Sequence, residues 1–137
     1  MMVLQSIENS IKELINNNLS DNIIEIKKLA VSGSSRFYFR VFTNNKSYIA
    51  TYSTNVEENK AFLIFSKHFK DKGLPVPEVL AVSDDKICYI QSDLGDVSLF
   101  DYVKKCLQNN SYDETTIGLY KKVIKSLVDF QIKGNEN

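Results

Sequence analysis

Tryptophan is absent from the 137 residues, histidine occurs once, and cysteine and proline occur twice each. One histidine (His68) and two cysteines (Cys88 and Cys106) outside any C-x-x-C spacing do not make a zinc site, so no metal ligand set is expected. Both thiols read as reduced and mostly buried, in a cytoplasmic protein. Neither sign of charge prevails, with 17 basic and 17 acidic side chains. No block of like charge stands out, which excludes the electrostatic footprint of nucleic-acid binding. No apolar run approaches a bilayer-spanning length, and residues 1–8 lack the basic start and apolar stretch of a signal peptide. What remains is ordinary for one soluble globular domain: 43% hydrophobic and 25% charged residues.

Leu4, Ile7, Ile11, Leu14 and Ile15 recur at helical spacing, and the Asn16-Asn17-Asn18 run ends that helix. Residues 22–31 read as a strand, with Ile24 and Ile26 on one side and Ile23, Glu25 and Lys27 on the other. Strands follow at 37–43 and 48–52, joined by an Asn44-Asn45 turn. Asn55 and Glu58 have capping-box spacing and open a helix that presents Ala61, Phe62, Phe65 and Phe69 on one face and stops at Gly73. The prolines of Leu74-Pro75-Val76-Pro77 keep that stretch extended. Short strands at 79–83 and 87–91, turning at Asp84-Asp85, complete the set. Two helices come last: one capped by Ser98 over 99–107, and a longer one with Ile117, Tyr120, Ile124 and Leu127 on one side and a stop at Gly134. The expected fold is α+β: a five-stranded antiparallel sheet with one packed helix, preceded by an N-terminal helix and followed by two helices.

The segment carrying most chemistry runs from Val31 to Val41. Gly33, Ser34 and Ser35 form a turn of small residues whose backbone donors can close over phosphates, although an ordinary hairpin turn has the same composition. Arg36 and Arg40, four apart, project from one face of a strand, where a guanidinium can pair with phosphate or simply be solvated. Glu57 and Glu58 suit a helix N-terminus, and one of them can instead turn to the sheet and fix a cation. His68 has no nucleophile or second base beside it, so it reads as a surface or half-buried helix residue. From Cys88 to Asp96 an apolar strand runs into a Gly-containing link whose backbone can match a base edge.

In that order the pieces resemble the small N-terminal lobe of the kinase-like fold. More narrowly, they are similar to the aminoglycoside phosphotransferase superfamily and its N-acetylmuramate/N-acetylglucosamine sugar kinase branch. Three stretches carry the likeness: 33–40 as the phosphate-covering loop and second strand, 73–80 as the link after the lobe's helix, and 90–96 as the hinge.

The resemblance implies ATP as cofactor, with its adenine against the hinge backbone at Gln91, Ser92, Asp93 and Leu94 and touching Val41 and Ala50. Gly33, Ser34, Ser35 and Arg36 would lie over the phosphates. Tyr52 falls where the V-A-I-K pattern of protein kinases has its lysine, so Arg36 or Arg40 is expected to supply that charge. Residues 1–93 would be the nucleotide-binding lobe, and 94–137 the hinge and first helices of a large lobe that holds the catalytic H-x-D segment and the Mg²⁺ site. No catalytic residue is therefore expected in these 137, and ATP binding should be weak. A second expectation comes from another class: a free-standing interaction module that self-associates, or meets a large lobe, through 112–133.

Overall fold

A computed structural model describes residues 2–30, 35–108 and 113–135. It is α+β, built in the order α1 (Met2–Asn18), β1 (Ile23–Lys28), β2 (Phe37–Thr43), β3 (Ser47–Tyr52), α2 (Val56–Asp71), β4 (Val79–Val82), β5 (Cys88–Ser92), α3 (Leu99–Gln108) and α4 (Glu114–Lys133). The five strands form one antiparallel sheet in the order β1-β2-β3-β5-β4. The chain divides into two compact units, Met1–Lys67 with Val76–Asp93 and His68–Pro75 with Leu94–Asn137.

The first unit has an apolar core. Ile7, Ile11, Leu14 and Ile15 of α1 are buried together with Phe39 and Val41 of β2, Tyr48 and Ala50 of β3, Ala81 of β4, and Cys88 and Ile90 of β5. Alternation along a strand sends every second side chain to one face, so these residues define the face under α1. Their neighbours point the other way, where Tyr89 stacks on Phe62 of α2 with ring centroids 5.0 Å apart.

Two expectations about packing are corrected. In β1 the pairing shifts between Ile23 and Glu25. A bulge there breaks the period of two, so Ile23 and Ile26 pack on the core while Ile24 is left 72% exposed. In α2, Ala61 and Phe65 are exposed, and the buried positions are the polar Asn59 and Ser66. Asn59 is fully buried because its amide donates to the carbonyls of Ser53 and Lys86, at 2.9 and 2.7 Å, a task no apolar side chain performs.

The caps follow the sequence closely. The Glu58 amide donates to Asn55 Oδ1 at 3.2 Å, and the Asn55 amide returns a bond to Glu58 Oε2 at 3.3 Å. Ser98 Oγ accepts from the Asp101 amide at 3.0 Å. Gly73, at φ 70°, closes α2 in the left-handed conformation that favours glycine, with the Leu74 amide bonded to the Phe69 carbonyl.

In the second unit α3 and α4 meet at the fully buried Thr116, whose Oγ1 lies 3.4 Å from Cys106 Sγ and donates to Asp113 Oδ1 at 2.7 Å. Asp113 caps α4, accepting from the Thr116 amide as well. Those two bonds hold its carboxyl below the usual aspartate value. His68 is half-buried, with Nε2 2.8 Å from the Gly134 carbonyl oxygen, and Phe69 meets Phe130 edge-on.

Candidate functional site

The polar chemistry of the first unit gathers on the sheet face away from α1. Arg36 enters β2 with only 8% of its surface exposed. Its Nη2 lies 3.1 Å from Glu58 Oε1, its Nη1 donates to the Tyr89 hydroxyl at 3.4 Å, and its guanidinium sits 5.7 Å from the centre of the Phe62 ring. The Arg36 side chain is 9% exposed against 50% for Glu58. A buried cation thus has a half-solvated anionic partner. Burial holds the Tyr89 phenol above its usual pKa, so it stays protonated beside the guanidinium. Glu57, by contrast, pairs with Lys60 on the surface at 2.8 Å.

Arg40 is occupied differently. Its Nε and Nη2 approach Asp93 Oδ2 and Oδ1 at 2.7 and 3.1 Å, and Ser47 Oγ donates to the same Oδ2 at 2.7 Å. Both side chains of the ion pair are nearly buried, at 11% and 6% exposure. Ser92 is also engaged within the unit: its amide donates to the Glu78 carbonyl and its Oγ accepts from the Glu78 amide, each at 2.9 Å. Gln91 is half-buried and Leu94 is 74% exposed.

Among the remaining expected site residues, Ser35 is exposed next to Arg36, and Gly33 and Ser34 lie outside the described residues. Val41 and Ala50 are fully buried in the core beneath α1. A base on the other face would meet their neighbours Arg40, Ile49 and Thr51. The strand period already implied this, since Val41 has the opposite parity to Arg36 and Arg40 and cannot share a face with them. The same holds in β3: Tyr52 packs on the core, and Thr51 is the residue on the Arg36 side. Tyr89 and Phe62, which frame Arg36, lie respectively in the Cys88–Asp96 segment and on the expected α2 face, but neither is singled out there; strand parity, which puts Tyr89 on the face opposite Cys88 and Ile90, was the available signal.

Of the two arginines, Arg36 is the one whose ion-pair partner is half-exposed, while Arg40 pairs with a nearly buried carboxylate. Further along, the Ser92 amide and hydroxyl and the Asp93 carboxylate are engaged within the unit. Among the described residues no group of three or more His, Cys, Asp or Glu side chains is placed to hold a metal ion, and no helix is long and apolar enough to cross a membrane. What fold and site define is an α+β unit with an antiparallel sheet and a framed arginine on its polar face. No protein-family model matches the chain, and a search of curated proteins gives no match either.

Proposed function

We propose that residues 1–93 are an adenine-nucleotide-binding lobe of the kinase-like type, from a cytoplasmic phosphotransferase acting on an amino sugar or aminoglycoside. In this reading Arg36 takes the phosphate charge that a strand lysine takes in protein kinases. The observation that carries it is the ion pair between buried Arg36 and Glu58 at 3.1 Å, which joins the strand entrance to the first turn of α2. It supplies the sheet cation and helix carboxylate of such a lobe from different positions. Mg²⁺ would belong to the large lobe. Phosphoryl transfer needs the metal and a positioned base, and His68-Phe69-Lys70 is no H-x-D segment. These residues alone are thus expected to bind nucleotide weakly and turn over nothing.

Titration of the 137-residue chain with ATP and with adenosine, by calorimetry, tests the reading. Arg36→Ala should weaken ATP by about tenfold or more, the scale of one charge-assisted contact, and leave adenosine unchanged. Glu58→Gln, which keeps the cation, should bind ATP at least as well as the parent. A parent chain that binds neither ligand, or an Arg36→Ala protein that is folded and binds ATP undiminished, overturns it.

A second reading rests on a separate observation. Ile117, Tyr120, Val123, Ile124, Leu127 and Val128 of α4 are all between 42% and 60% exposed, a broad apolar arc that favours association. In that reading the chain is an interaction module working through 112–133. Light scattering that reports a strict monomer at high concentration sinks its self-associating form.

A further inference from the structure

Arg40 and Asp93 entered the site as possible nucleotide contacts, but their geometry assigns them other work. We infer that the Arg40–Asp93 ion pair is a positioning device that fixes the backbone of residues 91–94. The part of this inference that concerns a base edge rests on the nucleotide-lobe reading; the pin itself does not. Two strands converge on the Asp93 carboxylate, immediately after β5: Arg40 from β2, whose Nη2 donates to Oδ1 while its Nε lies 2.7 Å from Oδ2, and Ser47 from β3 through its hydroxyl. The register explains the convergence, because Arg40 lies opposite Ile49, Ile49 opposite Gln91, and Tyr48 opposite Ser92. Arg40 and Ser47 thus share the face onto which Asp93 turns back.

A buried ion pair contributes little net stability, because desolvation offsets its attraction, but removing one partner leaves a buried charge that must find water. For Asp93 the cheapest route to water is to swing the chain at 93 outward. Asp93 is the last residue of the first unit, and beyond it Leu94 is 74% exposed and Gly95 takes φ 92°, in the left-handed region that favours glycine. On the other side of 93, the paired Ser92–Glu78 bonds tie the strand end to the segment before β4. The stretch 91–94 is therefore held at two points, and the one at 93 depends on a charge in β2. Arg40 acts through Asp93 and does not touch nucleotide.

Hydrogen exchange of the unliganded 137-residue chain reads the pin without any ligand. Arg40→Ala and Asp93→Asn should each speed amide exchange at 92–95 by about tenfold, a shift of one decade in the local opening constant, while amides at 39, 41 and 50 stay protected. The double variant should exchange no faster than Arg40→Ala, since both remove one device. Asp93→Asn conserves volume, so a failure of Arg40→Ala to fold leaves the inference open to refutation by this variant. Unchanged exchange at 92–95 in folded Asp93→Asn overturns the pin.

With ligands, both substitutions should weaken adenosine and ATP by the same factor. Loss of ATP with adenosine intact would make Arg40 a phosphate ligand and overturn the inference. A parent chain that binds neither ligand overturns the nucleotide reading instead, and the exchange result still decides the pin.

Discussion

The two units differ in where their apolar side chains go. Among the described residues, every buried apolar side chain except Leu74 belongs to the first unit. In the second, Leu94, Val97, Phe100, Leu107, Ile117, Tyr120, Val123, Ile124, Leu127, Val128 and Ile132 are all exposed. A sheet covered by α1 encloses its own core. Two helices meeting at one threonine do not, since an amphipathic helix gains most of its stability from packing its apolar face. The difference teaches that burial, and with it the hydrophobic contribution to stability, is concentrated in the first unit, whereas the apolar side chains of the second lie exposed.

The largest effect that tests this comparison lies in the core. Phe39→Ala, at a fully buried position of β2, should cost about 3–5 kcal/mol in chemical denaturation. A cost near 1 kcal/mol would mean that the sheet unit is not the stable one. The cysteines offer a chemical version. Burial pushes the Cys88 thiol up to about 12, while Cys106 in α3 is only half-buried. At pH 8, Cys88 in a Cys106→Ser protein should react with a thiol reagent roughly a thousandfold more slowly than a free cysteine, from its thiolate fraction alone, and become fully reactive in denaturant. Comparable folded-state rates for the two cysteines would erase the contrast.

Much of this architecture was legible in the sequence, because local signals and tertiary packing agree there. The strand at 37–43, the Asn55–Glu58 and Ser98–Asp101 caps and the stop at Gly73 all stand where their residue types place them. Legibility failed where a tertiary demand broke a local period. The bulge at Ile24 inverts the parity of β1, and nothing in Ile-Ile-Glu-Ile marks it. Asn59 is buried because the carbonyls of Ser53, after β3, and Lys86, before β5, converge on it, which no helical wheel foretells. In the candidate site the family likeness put Val41 and Ala50 against a base, while the strand alternation buries both on the face opposite Arg36. The Arg40–Asp93 pair spans 53 residues, and its two ends carry no shared local pattern.

A middle-sized effect should come from the buried pair that joins the start of β1 to β3. The Tyr48 hydroxyl donates to Asp21 Oδ2, and the Asn45 amide donates to Oδ1 at 2.7 Å. These bonds, Tyr48's first, hold the Asp21 carboxyl below its usual value, while burial and then Asp21 push the Tyr48 phenol up to about 12. The Asp21 contribution is complete above the unfolded carboxylate pKa of 3.8 and is lost as pH falls through the lowered folded value. The tyrosine contribution is complete below the unfolded pKa of 10.0 and disappears as pH rises toward 12. Tyr48→Phe should cost about 1–3 kcal/mol at neutral pH, the penalty for taking a partner from a buried acceptor. It should also flatten part of the stability loss between pH 10 and 12 relative to the parent. An identical alkaline profile in the two proteins would show that Tyr48 titrates as though exposed.

The smallest effect is the most direct test of the second unit. Ile124 and Leu127 are 60% and 56% exposed on α4, so replacing both with serine removes little buried surface and should shift stability by no more than about 0.5 kcal/mol per site. If those side chains are instead covered in solution, the same substitutions remove an interface. The parent's unfolding midpoint would then rise with protein concentration, because anything that binds only the folded chain stabilises it by mass action. Denaturation at two concentrations, a hundredfold apart, separates the cases. A midpoint independent of concentration, together with a near-neutral double substitution, leaves the apolar arc of α4 as free surface. A concentration-dependent midpoint that the serines abolish makes the arc a self-association face and moves part of the molecule's stability out of the first unit.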